Sequence, residues 1–139
     1  MVNPGERVFM EQQRGRDTRI GPRILVFSCS GAFDVGILAD RVVRRLTTQR
    51  TAAMGCAVAI AAGNPAALDK ARQAEALLVL DGCDTSCAKT IFEKAGFANV
   101  IHLNLEELGF IKGKTLVTDS RVELIATAAL ERIQSVSHG

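Results

Sequence analysis

Ile24-Leu25-Val26-Phe27 is an unbroken apolar run of β-forming residues, the pattern of a strand buried on both faces. The period then changes. From Asp34 to about Arg50 the apolar residues Val35, Leu38, Ala39, Val42, Val43 and Leu46 recur at helical spacing, with Arg41, Arg44, Arg45 and Gln49 between them, and Asp34 is placed to cap the helix. Thr51–Gly55 reads as a weak second strand, because two alanines favour the extended state poorly. A short helix over 57–62 stops at Gly63, and Asn64-Pro65 has the cap and first-turn proline of another that runs to about Glu75. Ala76–Leu80 is a second clear buried strand and leads into Asp81-Gly82-Cys83. A helix over 85–95 ends at Gly96, and Val100–Leu103 forms another strand. Leu116-Val117 is expected as a short fifth strand after a turn at Lys112-Gly113-Lys114, and Ser120 with Glu123 has the capping-box pattern of a last helix to about Gln134.

Buried strands alternating with amphipathic helices predict an α/β fold: a single three-layer domain with a mostly parallel sheet of four or five strands and helices on both faces, Rossmann-like or flavodoxin-like. A length of 139 residues suits one such domain, and 47% apolar with 23% charged residues excludes disordered and coiled-coil classes. No apolar stretch is long enough for a membrane span and the first 20 residues lack a signal-peptide core, so a cytoplasmic protein without a membrane partner is expected. With no Trp or Tyr and a net charge of +2, base stacking and phosphate attraction are weak, which argues against nucleic acid. Charge is concentrated at the start, where Arg7, Arg14, Arg16, Arg19 and Arg23 outnumber Glu6, Glu11 and Asp17. Residues 1–22 therefore read as a flexible Arg-rich tail before a domain at 23–139, and the other reading, an arm that grips a protein partner or a second copy, leaves a homodimer open.

Cysteine spacing carries the chemistry. Cys29, Cys56 and Cys83 are 27 residues apart each time, about one strand, one helix and their connections, so each follows a strand. In the common 2-1-3-4 strand order these positions fall at the carboxyl edges of neighbouring strands, where open α/β sheets bind ligands. Cys87 follows Cys83 by four residues, one turn along the same face if the helix has begun. In a reducing compartment such thiols serve as metal ligands or reactive groups, and four around a tetrahedral ion make a closed zinc site. Buried structural cysteine is the competing reading, above all for Cys56 in its Ala-rich setting.

Cys29-Ser30-Gly31, Gly36, Cys56, Asp81-Gly82-Cys83, Cys87-Ala88-Lys89, Gly96, Glu107-Leu108-Gly109 and Lys112 together resemble the DGC domain family over about residues 24–117. The resemblance implies a small metal-binding protein with Cys29, Cys56, Cys83 and Cys87 as zinc ligands and a structural, sensing or metal-handling role, and implies no reaction. Asp84 departs from the proline common after the tripeptide; it is read as a helix cap or as an extra carboxylate beside the metal.

Other chemistries use the same residues. An iron-sulfur cluster would take the same four thiolates, and three ligands with an open position would permit catalysis or metal delivery. A thiol enzyme or redox protein would use Cys29 or Cys83 as nucleophile. Known thiol loops do not match, since Val35 stands where a phosphatase-type loop needs Arg, and Cys83 and Cys87 have three residues between them where a thioredoxin pair has two. The segment 31–36 lacks the Lys and Ser or Thr of a phosphate loop. His102 reads as a hydrogen-bonded core histidine, His138 as frayed terminus, Asp81 as either a support for the Cys83 loop or turn chemistry, and Arg41, Arg44 and Arg45 as one solvated helix face.

Overall fold

The structure, a computed structural model, describes residues 3–6 and 24–137, so most of the expected tail and His138 lie outside the described residues. Four parallel strands, β1 (Ile24–Ser28), β2 (Ala53–Met54), β3 (Ala76–Asp81) and β4 (Val100–Asn104), pair in the order β2-β1-β3-β4. This is the anticipated 2-1-3-4 arrangement. Leu25 lies opposite Leu77 and Ser28 opposite Leu80, and Cys29 N–H extends the ladder by donating to Leu80 C=O at 3.0 Å.

Side chains alternate across the sheet, and each face meets its own helices. Val26, Leu78, Leu80 and Leu103 pack on one side with α1 (Asp34–Thr48) and α5 (Asp119–Ser137). Leu25, Phe27, Leu77 and Val79 pack on the other with α2 (Ala57–Ala61), α3 (Pro65–Gln73) and α4 (Cys87–Lys94). Phe27 and Phe92, both buried, meet edge-on at 4.7 Å between centroids, and burying each such side chain contributes about 1.5–3 kcal/mol. The result is one three-layer α/β domain. Among the described residues no helix is long and apolar enough to cross a membrane.

Several boundaries differ from the sequence expectation, each for a local reason. β2 shrinks to two residues because Thr51 and Ala52 N–H groups turn back to Leu46 C=O at the end of α1. Leu116-Val117 forms no strand: Leu116 is exposed and its carbonyl accepts from Arg121 at 2.7 Å. The last helix starts at Asp119, with Thr118 Oγ1 accepting from Arg121 N–H at 3.3 Å, so Thr118 and not Ser120 supplies the cap. After β4 a 3-10 turn (Leu105–Leu108) forms where no element was anticipated, held by a capping box between Asn104 and Glu107. Arg44 pairs with Asp40 and Arg45 with Glu123, and Arg41 is exposed on the same helix, in keeping with a solvated face.

Candidate functional site at the carboxyl edge of the sheet

The four cysteines all lie at one end of the sheet. Cys29 follows β1, Cys56 precedes α2, Cys83 sits in the loop after β3, and Cys87 is the first residue of α4. α2 and α4 both cover the Leu25 face, with Ala57, Ala88 and Phe92 in one cluster, so their amino ends share that edge. Cys29 and Cys83 are half-buried; Cys56 and Cys87 are exposed.

Cys29 is tied to the β3 loop directly. Its Sγ accepts the Gly82 N–H at 3.3 Å, which puts the sulfur beside the residue preceding Cys83. Two glycines allow this approach. A Cβ on Gly82 would lie 2.7 Å from the Val35 carbonyl carbon and oxygen, and one on Gly36 would lie 2.5 Å from Gly31 C=O. The β1 loop, the first turn of α1 and the β3 loop are therefore packed backbone against backbone.

The β3 loop is held from beneath by two buried polar groups. Asp81, 1% exposed, accepts from Ala88 N–H at 2.9 Å through Oδ1, and from Lys89 N–H at 3.0 Å through Oδ2. Its Oδ2 also contacts His102 Nε2 at 2.9 Å. This carboxylate caps α4, so the capping role considered for Asp84 belongs to Asp81, and Asp84 is exposed in the loop. His102 is hydrogen-bonded as anticipated, but it is half-buried and stands outside the core. Asn104, 7% exposed, donates from Nδ2 to Cys83 C=O at 2.6 Å and to Ser86 Oγ at 3.1 Å. Ser86 itself stands in the left-handed region with φ 50°, and α4 begins only after it. Cys83 thus precedes the helix, and the expected one-turn stacking of Cys83 and Cys87 on a helix face does not occur.

A third support comes from the loop before α5. Asp34 is not the cap of α1 but its first residue, and its carboxylate accepts from Val35, Gly113 and Thr115 N–H groups at 2.8–2.9 Å. The bonds from Gly113 and then Thr115 hold its pKa below the ordinary aspartate value. Lys112 Nζ lies 3.9 Å from the Phe33 ring centroid, which ties the same loop to the start of α1. On the far side of β4, Arg132 donates to Glu107 Oε2 at 2.9 Å and lowers the Glu107 pKa, and it also donates to His102 C=O at 3.0 Å. Sequence reasoning passed over Asn104, Arg132 and the loop-holding role of Asp34. The Asn104-x-x-Glu107 spacing was the one available signal for the first.

Donor chemistry at this edge suits a soft or borderline metal: four thiols, one already accepting a backbone N–H. Their placement is looser than the chemistry. Among the described residues no three His, Cys, Asp or Glu side chains stand grouped as a metal centre, so in this conformation the thiols share an edge without forming a coordination shell.

A curated relative, the anaerobic and virulence modulator AnvM of Pseudomonas aeruginosa, is 34% identical over 91 residues, covering 66% of this chain and 70% of the relative. No solved structure matches the chain significantly. The family model for the DGC domain matches residues 25–129, a span that holds all of the sheet but Ile24 and all four cysteines, and the chain therefore belongs to the DGC domain family.

Proposed function

We propose that this protein binds one zinc ion through Cys29, Cys56, Cys83 and Cys87 and acts in metal sensing or handling. The observation that carries the reading is the Cys29 Sγ to Gly82 N–H bond, which anchors one thiol beside the Cys83 loop at the edge where the other two thiols begin their helices. Cys29 and Cys83 form the half-buried part of the site, while Cys56 and Cys87 are exposed and must move inward to complete it. The buried core contains none of the four cysteines, although Cys29 and Cys83 pack against it, which supports a fold that does not rest on the ion as a zinc finger does. That separation suits a protein that takes up and releases metal better than one that uses it as a permanent brace. The relative's name, a modulator, supports a regulatory setting for the same domain.

Metal content of protein purified without chelator or nickel resin is the direct test. One zinc per chain, no visible absorption, and similar loss of zinc in each of Cys29→Ser, Cys56→Ser, Cys83→Ser and Cys87→Ser are expected. A brown protein bleached by dithionite would replace zinc with an iron-sulfur cluster. A metal-free protein that fails to compete with a chromogenic chelator for zinc would overturn the proposal, and selective rapid alkylation of one thiol would then favour thiol chemistry.

A further inference from the structure

A cleft of about 710 Å³ opens at the carboxyl end of β1 and β2, on the outer flank of α1. Ser28 and Met54 form its inner wall, Asp40 and Arg44 its α1 side, and Ser30 and Cys56 its rim. Ser28 is only 7% exposed, yet among the described residues its hydroxyl has no hydrogen-bond partner. No fully buried side-chain polar atom is left unpaired in the described structure, so this hydroxyl is open to the cleft it lines. A hydroxyl that no protein group engages and that is reached only from the cleft is a recognition group, because it can donate to or accept from a ligand in place of water.

The charged wall defines what else the ligand must carry. Arg44 Nε donates to Asp40 Oδ2 at 2.7 Å, which uses one of five guanidinium N–H groups and one of two carboxylate oxygens. The remaining donors suit a carboxylate and the remaining oxygen suits an ammonium. As the pair is neutral overall, a singly charged ligand gains at one group what it loses at the other, whereas a zwitterion gains at both. We propose that this cleft binds a small zwitterion of the free amino-acid type, its head group on Asp40 and Arg44 and a polar side-chain atom on the Ser28 hydroxyl. The site is independent of the metal reading, although its occupant would abut Cys56 and so sit against one of the four thiols.

The test is amide chemical-shift titration of the isotope-labelled full chain with L-serine and S-methyl-L-cysteine, beside propionate and propylamine as singly charged controls. Saturable shifts at Ser28, Gly55 and Arg44 with the zwitterions, and none with the controls, are expected. Arg44→Gln, on an exposed helix face where folding is not at risk, should weaken binding roughly tenfold, the loss of about one charge-assisted hydrogen bond. Ser28→Ala should weaken it while circular dichroism stays unchanged. Equal shifts with the singly charged controls, no shifts with either amino acid, or wild-type affinity in Arg44→Gln would each overturn the assignment. The readout does not involve a metal, so a failed zinc titration leaves it standing and the reverse also holds.

Discussion

Asn104 holds Cys83 in place: the amide at the end of β4 donates to the Cys83 carbonyl at 2.6 Å, one strand away and 21 residues earlier. The same side chain accepts from Glu106 N–H at 2.9 Å, so it is shared between the cysteine loop and the 3-10 turn. Asn104→Ala leaves the Cys83 carbonyl with the Ser86 N–H at 3.2 Å as its remaining donor, strips Ser86 Oγ of its bond from the amide, and removes the cap at once. A destabilisation of about 1–3 kcal/mol is expected, read as a lower urea midpoint with unchanged slope. Faster alkylation of Cys83 should accompany it. A midpoint equal to that of the wild type would show that the loop holds itself.

Asp81 tests whether the helix carrying Cys87 is fixed by its own sequence or by the strand beneath it. Two amide N–H groups and the His102 ring converge on its two oxygens in a buried site. Asp81→Asn keeps the size but gives up one acceptor oxygen for a donor, so at least one of the three partners is left facing an N–H group. A loss of about 1.5–3 kcal/mol in unfolding free energy is expected, with His102→Ala costing less because both helix N–H bonds survive. Hydrogen exchange should locate the opening at Ala88 and Lys89. Uniform exchange across the domain would argue that Asp81 supports the whole core and has no local role.

The fold was legible because its evidence is local and repeated. β1 and β3 announce themselves as runs such as Ile24–Phe27 and Leu77–Leu80 that are apolar at every position, and α1 by one continuous stripe from Val35 to Leu46. The edge position of the cysteines followed from the same rhythm, since a residue after each strand must lie at the carboxyl end of a parallel sheet. What escaped the sequence are contacts between segments far apart in the chain. Asp34 looks like a helix cap, and only the folded loop at Gly113 and Thr115 gives its carboxylate other partners. Cys83 and Cys87 look like helix neighbours, but the left-handed Ser86 delays α4 until the second of them. Periodicity says nothing of a backbone bond from Gly82 to a sulfur 53 residues earlier.

Asp34 also gives the domain a dependence on acid. Its folded pKa lies below the unfolded value because the carboxylate form accepts the loop N–H groups, so its contribution is complete above the ordinary aspartate pKa. As pH falls through the lowered folded value the carboxylate is protonated and that contribution is lost. Glu107, also lowered, chiefly by its bond from Arg132, acts in the same direction. Urea midpoints should therefore fall below about pH 4, and Asp34→Asn should start lower at neutral pH and fall less steeply. Parallel curves for the two proteins would mean that the loop bonds do not distinguish the charged from the neutral side chain.

Gly82 is the residue whose replacement most directly separates the two cysteine loops. A methyl group there meets the Val35 carbonyl at 2.7 Å and the Gly36 nitrogen at 2.9 Å, and both are backbone atoms of α1 that cannot swing aside. Gly82→Ala must therefore push the β3 loop outward and lengthen the 3.3 Å bond from Gly82 N–H to Cys29 Sγ. Overpacking of this kind costs about 1–3 kcal/mol. Gly96→Ala is the contrasting variant: a methyl there meets nothing, and its cost comes from the positive φ of 90° alone. Both variants should lose stability, but only Gly82→Ala should raise the alkylation rate of Cys29 and, on the proposed zinc reading, lower zinc affinity. If the two variants change thiol reactivity equally, the contact between Gly82 and α1 does not control the position of Cys29.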